Sequence, residues 1–346
     1  MNRPVTERAQ VRARIRAAFA VLALTALGGC QGWQSALDPQ GPQARELAWL
    51  FWMFLAVLTA IFVAVMIALA LALIPRGPPR DDPLAVDPAS ERRKNFVVAG
   101  LAVATGVTVL VLTGFSYVSQ RNLFRVEEEA VIVRVTGHQW WWEVRYEEAD
   151  ASRTFTTANE IHVPVGKPVK VKLNSGDVIH SFWLPNLMGK QDLIPGQEND
   201  IRFVAERPGV YRGQCAEFCG LQHARMGLLV IAEEEAAFNR WRDGQIAPAQ
   251  TPVEPERIEG QQAFLSRPCV MCHTVRGTDA GGKVAPDLTH VGGRRHLAAS
   301  TLPMSRGNLA AWIVDPHGIK PGVNMPTIKL DPDDINNIAA YLEGLK

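Results

Sequence analysis

Two stretches of this chain carry no charged residue, Leu47–Ile74 and Asn95–Gln120. As a helix the first would be about 42 Å long, more than the roughly 30 Å of a bilayer's hydrocarbon core. A buried core helix is the soluble alternative, but two such runs so close together favour membrane spans, predicted at about 47–74 and 95–120. Between them lie Arg76, Arg80, Arg92, Arg93 and Lys94, whereas Cys30 to Leu47 offers only Arg45. The positive-inside rule therefore places the loop in the cytoplasm, and the mature N-terminus and everything after Gln120 on the periplasmic or outer side of a bacterial inner membrane. Trp49, Trp52 and Tyr117 suit the interfacial aromatic belt.

The N-terminus has the order of an export signal: Arg3, Arg8, Arg12, Arg14 and Arg16, then an apolar run, Ala17–Leu27, too short to span. Leu27-Gly28-Gly29-Cys30 resembles the bacterial lipobox, so residues 1–29 are expected to be a lipoprotein signal peptide and Cys30 a lipidation site; a buried free cysteine is the alternative. Residues 30–122 then form an N-terminal segment and a transmembrane hairpin. Lys plus Arg is 36 against 35 for Asp plus Glu, which gives no reason to invoke nucleic acid as a partner. The five cysteines are an odd number, so at least one is free, modified or a ligand.

After the hairpin the periodicity changes to two. Val131, Val133 and Val135 alternate, as do Val169, Val171 and Leu173 against Lys170 and Lys172, and turn residues such as Pro164, Gly166, Asn174, Gly176 and Gly209 punctuate the runs. This predicts a β-sandwich module over about 125–245, closed by a helical stretch from Ala232 to Asp243. Residues 246–255 contain Pro248, Pro252 and Pro255 and read as a semi-rigid linker. The module at 256–346 returns to helical period. Its last helix has Asp331 as a candidate cap, Pro332 at the first position, and an apolar face of Ile335, Ile338, Ala339, Leu342 and Leu345.

Two constellations carry chemistry. In the first, Cys215, Glu217, Cys219, His223 and Met226 share one short loop, with His180 upstream. Two thiols, two imidazoles and a thioether form a soft donor set that suits copper rather than magnesium or calcium. One cysteine would suffice for a mononuclear centre; a second in the same loop permits both sulfurs to bridge two copper ions. A Cys215–Cys219 disulfide is the plainer alternative in an oxidising compartment, but it leaves the His and Met spacing unexplained. In the second, Cys269-Val270-Met271-Cys272-His273 is the C-x-x-C-H signature of covalent haem attachment, with a zinc knuckle or redox dithiol as alternatives. An electron-transfer haem wants a distant methionine on the opposite side of its iron. Met325, before Pro326, is the first candidate and Met304 the competitor.

With these motifs stated, residues 130–231 resemble subunit II of cytochrome c oxidase, and the copper loop matches that family at every ligand position. The resemblance implies that Cys215 and Cys219 bridge a dinuclear copper (CuA) centre and that His180 and His223 bind one copper each. It further implies that Met226 binds weakly and that Glu217 contributes its carbonyl oxygen. In that family this glutamate's side chain also faces a magnesium site shared with subunit I. His138, Gln139, Trp140, Trp141 and Trp142 are similar to the family's aromatic segment, with Trp140 either the candidate residue for accepting electrons or, as Trp141 and Trp142 are read, a packing residue. The second span lacks the Trp-Thr-x-x-Pro beginning expected near a proton-uptake glutamate, and only Glu91 lies nearby. The C-terminal module resembles the cytochrome c domain fused to subunit II in caa-type oxidases, which implies that Cys269 and Cys272 carry haem c. His273 and Met325 are then its axial ligands, with the Pro286 carbonyl behind His273.

The expected architecture is thus a two-helix transmembrane hairpin, a cupredoxin-like β-sandwich and an all-α class I cytochrome c domain. The expected function is electron transfer from cytochrome c or an upstream complex, through haem c and two coppers, to subunit I of a haem–copper oxidase. Oxygen is reduced to water with proton translocation in that separate subunit, and no catalytic residue is expected here. A copper-delivery lipoprotein and the relay subunit of a nitric oxide reductase are the alternatives. The remaining histidines, His138, His162, His290, His296 and His317, are expected to be solvated or packed.

Overall fold

The computed structural model describes residues 31–74, 87–123 and 131–346; the signal segment, Cys30, Arg76 and Arg80 lie outside them. Two long helices come first, α1 (Pro42–Ala72) and α2 (Pro88–Leu123). Each contains a stretch long and apolar enough to cross a membrane, with mean hydropathy 2.9 and 2.3. Both begin several residues before the uncharged runs. Loss of charge marks where hydrocarbon begins, while the helix itself continues through Arg45, Glu46, Glu91, Arg92, Arg93 and Lys94, all compatible with helical backbone. Glu91 pairs with Lys94 at 2.6 Å. Trp49 meets Phe115 edge-on at 5.9 Å, and the Ser119 hydroxyl donates to Glu46 Oε1. Most apolar side chains remain exposed, including Leu58, Val65, Leu101 and Leu110, as expected of surfaces that face lipid.

The chain divides into two compact units; among the described residues the long helices from Arg45 on form one, and residues 31–44 with 131–346 form the other. In the second unit ten strands make two five-stranded sheets. The first has the order β3-β2-β1-β5-β8, from β1 (Val131–His138), β2 (Trp141–Glu147), β3 (Phe155–Ala158), β5 (Pro168–Ser175) and β8 (Asn199–Val204). The second has the order β4-β10-β9-β6-β7, from β4 (Glu160–Pro164), β6 (His180–Trp183), β7 (Lys190–Leu193), β9 (Gly209–Cys215) and β10 (Gly227–Glu233). The alternation at 131–135 and 169–173 is the pleat of β1 and β5, which pair in parallel, Val133 opposite Val171. Val133, Val135, Val169, Val171 and Leu173 point inward with Phe182 and Phe203, and the lysines between them stay at the surface. Residues 31–44 lie along this sandwich: the Asn186 side chain donates to the carbonyls of Gly32, Ser35 and Asp38, and Ala44 N–H donates to Leu187 O.

Helix α3 (Glu235–Ile246) starts later than the Ala/Glu composition suggests, because Ala232 and Glu233 are still paired to Val163 and Pro164 in β10. Residues 247–254 form neither helix nor strand, yet they are not a loose tether. His290 holds Ala247 O, Arg276 holds the carbonyls of Gln245 and Ile246, and Ala249 N–H donates to Arg276 O.

The helical module comprises α4 (Pro255–Ser266), the short α5 (Cys269–Cys272), α6 (Arg306–Val314), α7 (Pro316–Ile319) and α8 (Pro332–Gly344). Its core gathers Phe264, Val275, Leu309, Ile338, Tyr341, Leu342 and Leu345. Ile338, Ala339, Leu342 and Leu345 are buried as the helical period requires, while Ile335 is half-buried. Asp331 occupies the N-cap position of α8, but its side chain accepts no capping bond.

Candidate functional site

The copper-type donors meet because β6 and β9 are neighbours. Phe182 pairs with Cys215, which brings His180 at the start of β6 beside Cys215 at the end of β9. The loop from Cys215 to Met226 then turns back into β10, closed by Cys215 N–H donating to Met226 O at 3.0 Å. Cys215 Sγ lies 3.8 Å from Cys219 Sγ and 3.9 Å from His180 Nδ1. Cys219 Sγ lies 3.6 Å from His223 Nδ1 and 3.8 Å from Met226 Sδ. The Glu217 carbonyl is 3.2 Å from Cys215 Sγ. The two sulfurs are free thiols, so the disulfide alternative is not the arrangement present. All the loop and strand ligands named from the sequence converge, with His180 and Met226 wholly buried and both cysteines nearly so.

This donor set fits copper. Two buried sulfurs lie at van der Waals separation, and the three remaining side-chain donors flank them. The sulfurs share one negative charge: hydrogen bonding from Cys219, opposed by burial and helped by His180 and backbone amides, pulls the Cys215 thiol down to about 3. The same bond and burial push the Cys219 thiol up, so binding a metal there would release a proton. Asp177, next to the turn residue Gly176, orients the histidine: its Oδ1 is 2.8 Å from His180 Nε2, and its Oδ2 accepts from Gln139 N–H at 2.6 Å. This directs Nδ1 toward the sulfurs. The pattern Asp-x-x-His was the available signal. Gly137 must lack a side chain, since a Cβ there would come within 2.8 Å of the His180 ring.

The three tryptophans separate. Trp142 is fully buried, edge-on to Phe182, and Trp141 stacks on His138 at 4.7 Å. Trp140 is nearly buried and donates its indole N–H to Cys219 O at 2.9 Å. Gly220, in the left-handed region at φ 110°, leaves room for the same ring.

Trp140 and Trp141 also line a cavity of about 340 Å³ whose other walls come from the helical module, including His273, Met325, Phe264 and Leu342. Cys269 and Cys272 face it from α5. His273 Nδ1–H donates to Pro286 O at 2.7 Å, and burial holds the imidazole below its usual pKa, so it is neutral with Nε2 available as a ligand. Gly282 passes directly behind the Cys-x-x-Cys turn, where a Cβ would lie 2.5 Å from the Met271 carbonyl carbon. An apolar slot with two thiols on one edge, a neutral imidazole and a thioether in its walls fits a covalently bound haem. Met304 packs against the module's core and not in this wall. Of the other histidines, His162 sits 2.5 Å from Glu233 and stacks on Trp241, His290 is held by Ala247 O and Lys346 O, and His317 is exposed.

A soft metal site and a haem-type cavity together define an electron-transfer protein, and a pair of apolar helices long enough to span fits a membrane-bound one. Residues 131–233 match the family of the cytochrome c oxidase subunit II periplasmic domain, and residues 258–346 match the cytochrome c family. Cytochrome c oxidase subunit 2 of Alkalihalophilus pseudofirmus is 34% identical over 330 residues, covering 92% of this chain and 94% of that one. The same-named protein of Bacillus subtilis is 31% identical over 233 residues, 64% of each chain. Among solved structures, the periplasmic domain of subunit II of the Bradyrhizobium japonicum cytochrome oxidase is 32% identical, covers 35% of this chain and 96% of that one, and has a TM-score of 0.33.

The chain belongs to the cytochrome c oxidase subunit 2 family and carries the fused cytochrome c domain of the caa-type members. It is the electron-transfer subunit of a haem–copper terminal oxidase, partnered by subunit I. Its two soluble modules are of copper-binding and haem-binding types, and its two apolar helices fit a two-span membrane protein.

Proposed function

We propose that Cys215, Cys219, His180, His223, Met226 and the Glu217 carbonyl hold two copper ions, and that Cys269, Cys272, His273 and Met325 hold one haem c. These centres would pass electrons from cytochrome c or an upstream complex to subunit I. When bound, the copper pair and the haem iron supply one-electron redox chemistry with little change of ligation. The chain's own residues do the rest. Cys215 and Cys219 offer thiolates from a loop pinned at both ends, so the ligands need not move between oxidation states. Pro286 fixes the His273 tautomer and Asp177 that of His180. Trp140 stands between the cavity wall and the Cys219 carbonyl, and so joins the two sites through one side chain and one hydrogen bond. The hairpin keeps both modules on the periplasmic or outer face, where the lipid on Cys30 would add a second anchor. Glu217, half-buried within the copper loop, would share a magnesium ion with subunit I.

The observation that carries this reading is the convergence of three side-chain donors, His180, His223 and Met226, on a pair of free, buried thiols. Copper delivery is disfavoured by the same fact, because a metal-surrendering site needs exposed, sparse ligands. Anaerobic reduction of the full chain, followed by optical and electron paramagnetic resonance spectroscopy, tests it. The expected result is a copper signal split by two equivalent nuclei and electrons passing from haem to copper; a mononuclear signal would overturn the dinuclear assignment.

A further inference from the structure

Lys320, which the oxidase chemistry above does not use, is 1% exposed and follows α7 immediately before the segment that carries Met325. Its Nζ donates to Trp140 O at 2.7 Å, in the copper-type sandwich, and to Ala298 O at 3.2 Å, in the helical module. A lysine is almost never buried without partners. Here one of its two acceptors belongs to the other module, so undocking would leave the amine half-satisfied. Trp140 is consequently held at both ends: the indole by the copper loop at Cys219 O, the main chain by the helical module through Lys320.

The surrounding contacts follow the same plan. Asn324 donates to Gln139 O at 2.9 Å, Gln222 to Pro321 O at 2.6 Å, and Arg225 to Ile319 O. Ala298, Ala299 and Ser300 all have left-handed backbone, φ 52°, 56° and 62°, a strained run for residues other than glycine. One of its carbonyls is engaged across the boundary, Ala299 O by Gly227 N–H at 3.1 Å, while Ala298 O is held by Lys320 within the helical module. On the other flank Glu160, buried in β4, accepts the backbone N–H groups of Arg295 and His296 at 2.7 and 3.0 Å.

We propose that Lys320 is a positioning residue for electron transfer: it fixes Trp140 between the haem cavity and the copper loop, so the fused module works as a permanently docked donor rather than one swinging on the linker. This rests on the assignment of copper and haem made above.

The test uses the full chain in detergent with both centres loaded, comparing wild type with Lys320→Met, which keeps the length and volume but removes the donors, and Lys320→Gln, which keeps one amide donor. Spectra of the two centres should be unchanged in both variants. In Lys320→Met, backbone amides of residues 139–142 and 298–300 should exchange with deuterium about tenfold faster, the factor expected from losing one well-placed buried hydrogen bond. Transfer from photoreduced haem to copper should slow, with Lys320→Gln intermediate, while a small reductant that reaches copper directly should act at the wild-type rate. Losses in Lys320→Met and Trp140→Phe should be less than additive, because one residue acts through the other. Wild-type exchange and transfer in Lys320→Met, or additive losses with Trp140→Phe, would overturn the proposal. A wild-type chain lacking either centre's spectrum would instead overturn the assignment on which it stands.

Discussion

Replacing Gly260 by alanine tests whether the haem-binding module depends on one close helix crossing. Gly260 lies on α4, where an added Cβ would come within 1.9 Å of Asn337 O, 2.5 Å of its carbonyl carbon and 2.9 Å of Tyr341 Cβ, all on α8. Unstrained contacts of this kind need roughly 3.5 Å, so the helices would have to part by more than 1 Å. The obstruction is mostly backbone, which cannot rotate away, and α8 is anchored in the core by its own buried Ile338, Ala339 and Leu342. Overpacking costs about 1–3 kcal/mol, and a Cβ driven to 1.9 Å from backbone belongs at the upper end, about 3 kcal/mol; alanine returns about 1 kcal/mol of helix propensity, so a net loss of about 2 kcal/mol is expected. For a module of this size, each kcal/mol corresponds to roughly 4–8 °C, and the melting temperature should fall by about 10 °C. Thermal unfolding of the full chain followed at the haem absorbance reads this module, while the copper absorbance reads the sandwich, whose core is separate. An unchanged or raised haem melting temperature would refute the reasoning, since it would mean the crossing has slack. Because Phe264, Ile338 and Leu342 of these two helices also line the haem cavity, the variant should lose haem-site rigidity before it loses copper.

Other perturbations follow from the same geometry. Met325→Ala should abolish the weak near-infrared iron–sulfur absorption, and persistence of that band would move the axial role to Met304. Asp177→Asn should weaken copper retention by about tenfold or more, as loss of an orienting partner does at other metal sites, measured by competition with a chelator; unchanged retention would remove Asp177 from the site. Glu147 bridges Arg134 at 2.7 Å and Lys172 at 2.6 Å, and although burial opposes ionisation, these partners hold its carboxyl below its usual value of 4.5. Its contribution is therefore complete above about pH 4.5 and is lost as the pH falls through the lowered value. Denaturant titrations of Glu147→Gln should show a flatter loss of stability in acid than the wild type, and parallel curves would refute the linkage.

Much of this protein could be read from local sequence because the governing physics is itself local. A span must be continuously apolar, since lipid offers no partner for charge, so Leu47–Ile74 and Asn95–Gln120 were visible without coordinates. The haem signature and most of the copper donors lie within short loops, where bond reach dictates spacing. The alternation of Val133 with Val135 and Val171 with Leu173 records the pleat directly. Element ends were less legible: α1 and α2 extend into charged residues that tolerate helix, and α3 waits until β10 has finished pairing. What tertiary structure alone decided is how distant segments meet. Lys320 finds Trp140 across 180 residues of chain. Glu160 reaches the backbone of Arg295 from 135 residues away. Neither of the Lys320 and Glu160 pairings has a sequence period or a fixed spacing, because each is set by how the two modules press together and which buried polar groups must then be satisfied.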